Sequence, residues 1–315
     1  MSASNQGNQG NQGNQGNQGN QGNQGNQGNQ GNQGNAGGGG GWFFPDRVDL
    51  PFVAMPSALS PKRIADRDFR SGHEGSFGRN WSASWRAWHI LADFTDGPAW
   101  RQRQRTADGE PQGAGGIALA SWQDRLRRDG KSLTEVVDEE IDELIRAAED
   151  ERPDALGEIL SQDAEFITHF LGVLTATPGS HPRTAAVMET ASLVAGIAAQ
   201  HFKRLNDRRR PSQVCPALRP PIAVPGHAAY PSGHATQAFL IARCVEAVRE
   251  GTPWAAAQTV VDAMADRIAR NREIAGVHYP SDSAAGRDLA GQLLPALQAT
   301  QSFADLLKAA RTEWT

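Results

Sequence analysis

Cysteine is nearly absent: the 315 residues contain two, Cys215 and Cys244. Two thiols without metal-ligand spacing exclude a disulfide framework and a cysteine-based zinc site; of the two readings left, one disulfide or two reduced thiols, the second is expected. Long apolar runs are missing as well. A membrane-spanning helix needs about 18 or more apolar residues in succession. The most apolar stretch, residues 185–202, is broken by Glu189, Thr190, Ser192, Gln200 and His201. No membrane span is expected. No secretory leader is expected either, because no charged segment followed by an apolar core stands at the N-terminus. Cytoplasmic location is therefore the default expectation. A surplus of one charge sign is also lacking, with a net charge of −4. That balance argues against nucleic acid or an anionic membrane surface as partner.

The first residues lack apolar side chains almost entirely. Asn-Gln-Gly recurs ten times from Asn5 to Gly34, followed by Asn35, Ala36 and five glycines. Such a segment has nothing to bury against the entropy of ordering it, so residues 1–41 read as a disordered tail. The remaining chain divides into an extension packed on the core, 42–118, and a helical domain, 119–315. In the extension, Trp81, Trp85 and Trp88 stand at helical spacing within 80–94 and are expected to form a core face. The polar, glycine-bearing stretch 97–116 reads as a loop.

Strand signals are missing from the helical domain, and helical ones are abundant. Ser132-Leu133-Thr134-Glu135 has the form of a capping box opening a helix to about Glu151. Val136, Val137, Ile141, Leu144 and Ile145 form its apolar stripe, and the acids between them read as a solvated face. Pro153 starts a helix to about Ala176, with Leu156, Ile159, Leu160, Phe166, Ile167 and Phe170 inward. A further helix covers 183–207. Six prolines in 211–231 make that stretch an ordered loop. Helices are expected next at 232–250, 254–274, 282–298 and 302–312. The fold class is therefore an all-α bundle.

Three segments carry groups that suit an oxyanion. In the first, Lys203 and Arg210 are seven residues apart, nearly one helix face, and Pro211 ends the helix at Arg210. In the second, Tyr230-Pro231-Ser232-Gly233-His234, Ser232 is a candidate N-cap. Free N–H groups at the helix start attract an anion, and Gly233 lets it come close. The third runs from Asn271 to Asp282 and contains Arg272 and His278. Asp282 lies four residues after His278 and could accept one ring N–H, leaving the other nitrogen as a nucleophile. Phosphoryl transfer needs several cations and backbone donors about the equatorial oxygens, an in-line nucleophile and an acid for the leaving group. Lys203, Arg210, Arg272, Ser232 and Gly233 would form the cage, and His278 and His234 the pair.

In their order and spacing these blocks resemble the signature of the type 2 phosphatidic acid phosphatase and vanadium haloperoxidase superfamily, Lys-x6-Arg-Pro, Pro-Ser-Gly-His and Ser-Arg-x5-His-x3-Asp. The match spans about 181–298 and departs once, at Asn271, where serine is usual. The resemblance implies a helical bundle with its site in the core. It implies His278 as the residue bonded to phosphorus or vanadium, Asp282 as its orienting partner and His234 as general acid and base. Lys203, Arg210, Ser232, Gly233 and Arg272 become oxyanion ligands. A phosphatase of this kind needs no divalent metal and no cofactor, whereas a haloperoxidase holds vanadate and uses peroxide and halide. The short gap between His234 and Arg272 resembles the soluble acid phosphatases. His227 and the run 230–237 resemble the bromoperoxidases, with His227 in the halide or substrate pocket. A small phosphoester is thus the first expectation, a haloperoxidase the second and a non-catalytic oxyanion binder the third. Homo-oligomerisation stays open.

Overall fold

The computed structural model describes residues 82–101, 104–105 and 116–315, all within one unit, Asp68–Thr315. The readings made for the 1–41 tail, for 42–81 and for Trp81 lie outside the described residues. In chain order the elements are α1 (Ala83–Asp96), α2 (Pro98–Arg101), β1 (Gln104–Arg105), β2 (Ala118–Leu119), α3 (Trp122–Leu126), α4 (Leu133–Asp150) and α5 (Arg152–Ala164). They continue with α6 (Ile167–Val173), α7 (Pro182–Asn206), α8 (Pro211–Val214), α9 (Gly233–Arg249), α10 (Gln258–Ile274), α11 (Pro280–Gln298) and α12 (Gln301–Arg311). The fold is all-α; β1 and β2 are a parallel pairing of two residues each. Among the described residues no helix is long and apolar enough to cross a membrane.

Helix α9 is apolar nearly all round and packs against α7, α10 and α11, while α1 and α12 cover α7. A helix of that composition has to be enclosed. Alanines on α7, including Ala191, Ala195 and Ala198, are fully buried in the main core. Leu240, Ile241, Leu289 and Leu293 have no exposed surface; each such side chain contributes about 1.5–3 kcal/mol by leaving water. Cys215 and Cys244 are both free.

The capping box at Ser132 is present, with Oγ accepting from the Glu135 N–H and the Glu135 carboxylate accepting from the Ser132 N–H. The tryptophan stripe is a correction. Trp85 and Trp88 are 58% and 41% exposed, and α1 buries Ala87, Ile90, Leu91 and Phe94 instead. At about 100° per residue the two sets lie on opposite sides of one helix. Both have helical spacing, and the Ala87–Phe94 side is the one buried, with α1 packed on α7. Leu156 and Leu160 are also exposed, whereas Ile159, Phe166 and Phe170 are buried. The helix expected to run from Pro153 to Ala176 is interrupted at Glu165, whose backbone is extended, and resumes as α6. Short helical turns interrupt the proline-rich loop at Pro211–Val214 and Pro216–Leu218.

One glycine locks the two helices that carry the site. A Cβ on Gly286 of α11 would stand 2.9 Å from the Ser232 carbonyl oxygen and 2.9 Å from the Thr236 nitrogen. Both are backbone atoms that cannot rotate away. Gly286→Ala is therefore expected to cost about 2 kcal/mol through overpacking. A lower urea midpoint at unchanged slope would show it, and an unchanged midpoint would contradict the close contact.

Candidate functional site

The three segments meet at one end of the bundle. Lys203 lies in the last turn of α7, buried, and Nζ donates to the carbonyls of Ala228 at 2.7 Å and Ala229 at 2.9 Å. An ammonium has three donors, so one is left. The route from Lys203 to Arg210 differs from the expected shared helix face. Helix α7 ends at Asn206 because Asp207 takes a left-handed cap (φ 37°, ψ 46°), a conformation that aspartate tolerates better than most residues. Arg210 is extended (φ −75°, ψ 153°), as the residue before a proline must be. It is the turn at Asp207 that brings Arg210 back beside Lys203.

Ser232 is the N-cap of α9, with Oγ accepting from the Ala235 N–H at 3.4 Å. Its own N–H donates to the Asp282 carbonyl at 2.9 Å, tying α9 to the start of α11. A Cβ on Gly233 would meet only the Lys203 stem, at 4.0 Å, so this first residue of α9 faces the lysine with little between them. The third segment turns at Gly276 (φ 74°), where a Cβ would meet Leu218 Cβ at 3.2 Å. Here glycine is required both by φ and by space. The Gly276 and Val277 N–H groups close α10 by donating to the Glu273 and Arg272 carbonyls, as in a glycine-terminated helix. The chain is thereby delivered to His278.

His278 is buried between two charges. Its Nδ1 lies 3.3 Å from Asp282 Oδ2, and its Nε2 lies 3.3 Å from Arg210 Nη1. A guanidinium only donates, so Nε2 is the acceptor and the ring proton sits on Nδ1, facing the carboxylate. Asp282 Oδ2 also accepts from the Tyr279 N–H at 3.0 Å. Burial and then the cations Arg210, Lys203 and Arg272 hold the imidazole well below its ordinary pKa. The ring is neutral, with its lone pair on the side of the cations.

Arg272 is buried, and its Nη1 donates to Asp163 Oδ1 at 2.8 Å. Its Nε has no partner among the described residues. His234, in the first turn of α9, packs against Phe166 with the rings tilted by 43° and centroids 5.1 Å apart. Burial first, then Arg272, lowers its pKa well below normal, with the Gln162 carbonyl opposing. Burial and the repulsion of Arg210 also push the Lys203 ammonium down, and burial lowers Arg210 to about 10. Three cationic side chains thus crowd one place: Arg210 and Arg272 disfavour the charge on Lys203, and Arg272 that on Arg210. An anion there would relieve all three.

His227 is exposed at the rim, where its Nδ1 lies 3.1 Å from Arg210 Nη2 and its carbonyl accepts from Arg210 Nε at 3.1 Å. Desolvation of the ring, together with Lys203, lowers its pKa to about 4. It lines a cavity of about 470 Å³ with Asp207, Arg208, Arg209, Gln213 and Ala228.

Four contributors escaped the sequence reading. Arg208 pairs with Asp282 and Glu140, Asp163 pairs with Arg272, and Phe166 packs on His234. Glu140 corrects the solvated-face expectation, because it is buried. Its position was readable: it lies four residues after Val136 and four before Leu144, on the inward side of α4. No family model matches the chain, and no curated protein is similar to it, so the site's own geometry carries the functional argument.

Proposed function

We propose that the chain is a metal-independent phosphomonoester hydrolase that works through a phosphohistidine on His278. The observation that carries this reading is the buried Nε of Arg272, without a partner among the described residues, beside Arg210, Lys203 and a neutral imidazole. A buried donor without a partner costs about 1–3 kcal/mol, and a phosphate oxygen is the partner that fits a guanidinium edge.

The chain's own groups suffice for two displacements. The phosphate takes hydrogen bonds from Arg272, from the third proton of Lys203 and from Arg210, whose Nη1 leaves Nε2 as it does so. The freed Nε2 lone pair forms the N–P bond while the P–O bond to the leaving alcohol breaks. His234 gives that oxygen its proton. Asp282 holds Nδ1–H and offsets the positive charge that develops on the ring. In the second half His234 takes a proton from water, the water oxygen bonds to phosphorus, and the P–N bond breaks.

His234 has to be protonated for the first step, and the neighbouring cations disfavour that. A bound dianion cancels the cations and raises its pKa, so the complex holds more protons than the free protein. Phosphate binding is therefore expected to take up protons near neutral pH and to tighten as pH falls, beyond the effect of phosphate's own titration. Calorimetry in buffers of different ionisation enthalpy measures this. Uptake that is zero, or unchanged in His234→Gln, would contradict the assignment of His234 as the acid.

A second reading, a vanadate-dependent haloperoxidase, is favoured by the contact of His227 with Arg210. The cage fits vanadate as it fits phosphate: Lys203, Arg210 and Arg272 would hold the oxygens, and His278 Nε2 faces them. Vanadate, when bound, would supply the activation of peroxide. Phosphate release from an aryl ester and bromination of a phenol dye, each with and without vanadate, separate the readings. Release that vanadate blocks supports the hydrolase, and vanadate-dependent bromination supports the second. Oxyanion binding without either turnover would leave a binding protein.

A further inference from the structure

Arg208 lies outside the cage and pairs with two buried carboxylates, Asp282 and Glu140. It is 3% exposed. Its Nη1 donates at 2.7 Å to Asp282 Oδ1 and at 2.7 Å to Ser281 Oγ, and its Nη2 donates at 2.7 Å to Glu140 Oε2. Glu140 is held in turn by the Ser281 N–H, which donates to Oε1 at 2.8 Å. The guanidinium lies 3.7 Å from the centroid of the Tyr279 ring and 5.1 Å from that of Trp122. Its plane is thus fixed by stacking and its edge by two carboxylates.

We infer that Arg208, backed by Glu140, is a positioning residue that anchors Asp282 Oδ1 so that Oδ2 stays aimed at His278 Nδ1 and the ring keeps its lone pair on Nε2. This rests on His278 as the nucleophile. Asp282 has two oxygens and a rotatable carboxylate. Oδ2 serves the Tyr279 N–H and His278, whereas Arg208 is the only side chain bonded to Oδ1 among the described residues. Without Arg208, Oδ1 is a buried acceptor lacking its cation, and the carboxylate turns toward other donors. The Nδ1–H tautomer then loses its stronger support. Arg210 still donates to Nε2, so the outcome is a mixture of tautomers rather than a full switch. A lysine at 208 reaches one carboxylate and cannot reproduce the fork. A purely structural ion triad would change stability on mutation and leave the tautomer alone.

The test is nitrogen NMR of the whole protein carrying labelled histidine, with aryl phosphate kinetics alongside. The wild type is expected to show His278 protonated on Nδ1 alone. Arg208→Gln is expected to show a second form protonated on Nε2. Its kcat should fall about tenfold to a hundredfold, the usual cost of losing an outer partner, with KM little changed. Arg208→Lys is expected to lie between the two, and it carries the test if the glutamine variant does not fold. A folded variant whose His278 is protonated on Nδ1 alone, with wild-type kcat, overturns the inference. The resonances do not depend on turnover. If the wild type releases no phosphate while the tautomer shifts as expected, the hydrolase reading falls and the positioning role stands.

Discussion

His278→Ala is expected to lower kcat for phosphate release by roughly a thousandfold or more, the scale seen when a nucleophile that works in a concerted set is removed. Four charged groups surround that ring. Arg210 is placed on Nε2, Asp282 on Nδ1, and Lys203 and Arg272 close enough to depress the ring's protonation. With the ring gone neither other histidine replaces it, because His234 is needed as the acid and His227 stands exposed on the far guanidinium nitrogen of Arg210. Oxyanion binding should survive, since the cage donors are untouched. The expected pattern is therefore loss of kcat with phosphate affinity kept within a few-fold of wild type. Single-turnover kinetics and calorimetry measure the two separately. Equal loss of binding and turnover would mean that His278 shapes the cage instead of reacting. Circular dichroism controls for the cavity left by the buried ring.

Arg272→Ala is expected to have the second largest effect, about a hundredfold to a thousandfold in kcat, the range for removing a preorganised donor from developing charge. The loss should fall more on kcat than on phosphate affinity, because the transferring group carries its charge most fully on the equatorial oxygens in the transition state. Arg272→Lys restores the charge without the planar edge, so it should recover part of the loss only. Asp163 loses its partner in the alanine variant and can turn to solvent, being about one-third exposed. Measured kcat near the wild-type value would remove Arg272 from the machinery and leave its buried Nε without a functional explanation.

How much the sequence made legible depended on how local the cause was. The Ser132–Glu135 box is three residues of capping chemistry, and the helix starts there. The Ser232 cap and the four-residue step from His278 to Asp282 are equally local, and both occur in the structure. The tryptophans misled because spacing fixes a face but not its direction; that depends on which side of α1 fits α7. The helix end at Asn206 agrees with the 183–207 expectation, whereas the continuation to Arg210 does not occur, because a left-handed Asp207 stops a helix that could have gone on. Arg208 and Glu140 are 68 residues apart, and Arg208 and Asp282 are 74. Periodicity places Glu140 inward but cannot say which cation meets it. Arg208, Arg209 and Arg210 are consecutive in sequence, yet the extended chain after Asp207 sends them in different directions. Arg208 meets Asp282, Arg209 lines the open cavity, and Arg210 meets His278.

Hydrolysis through His278 requires a covalent bond between phosphorus and Nε2. Rapid quenching of the full chain with a radiolabelled aryl phosphate tests it most directly, with peptide mapping under alkaline conditions afterwards. Label is expected on the peptide bearing His278, stable in alkali, lost in acid and absent from His278→Ala. Steady phosphate release with no label on the protein at any quench time, or label on another residue, would contradict it.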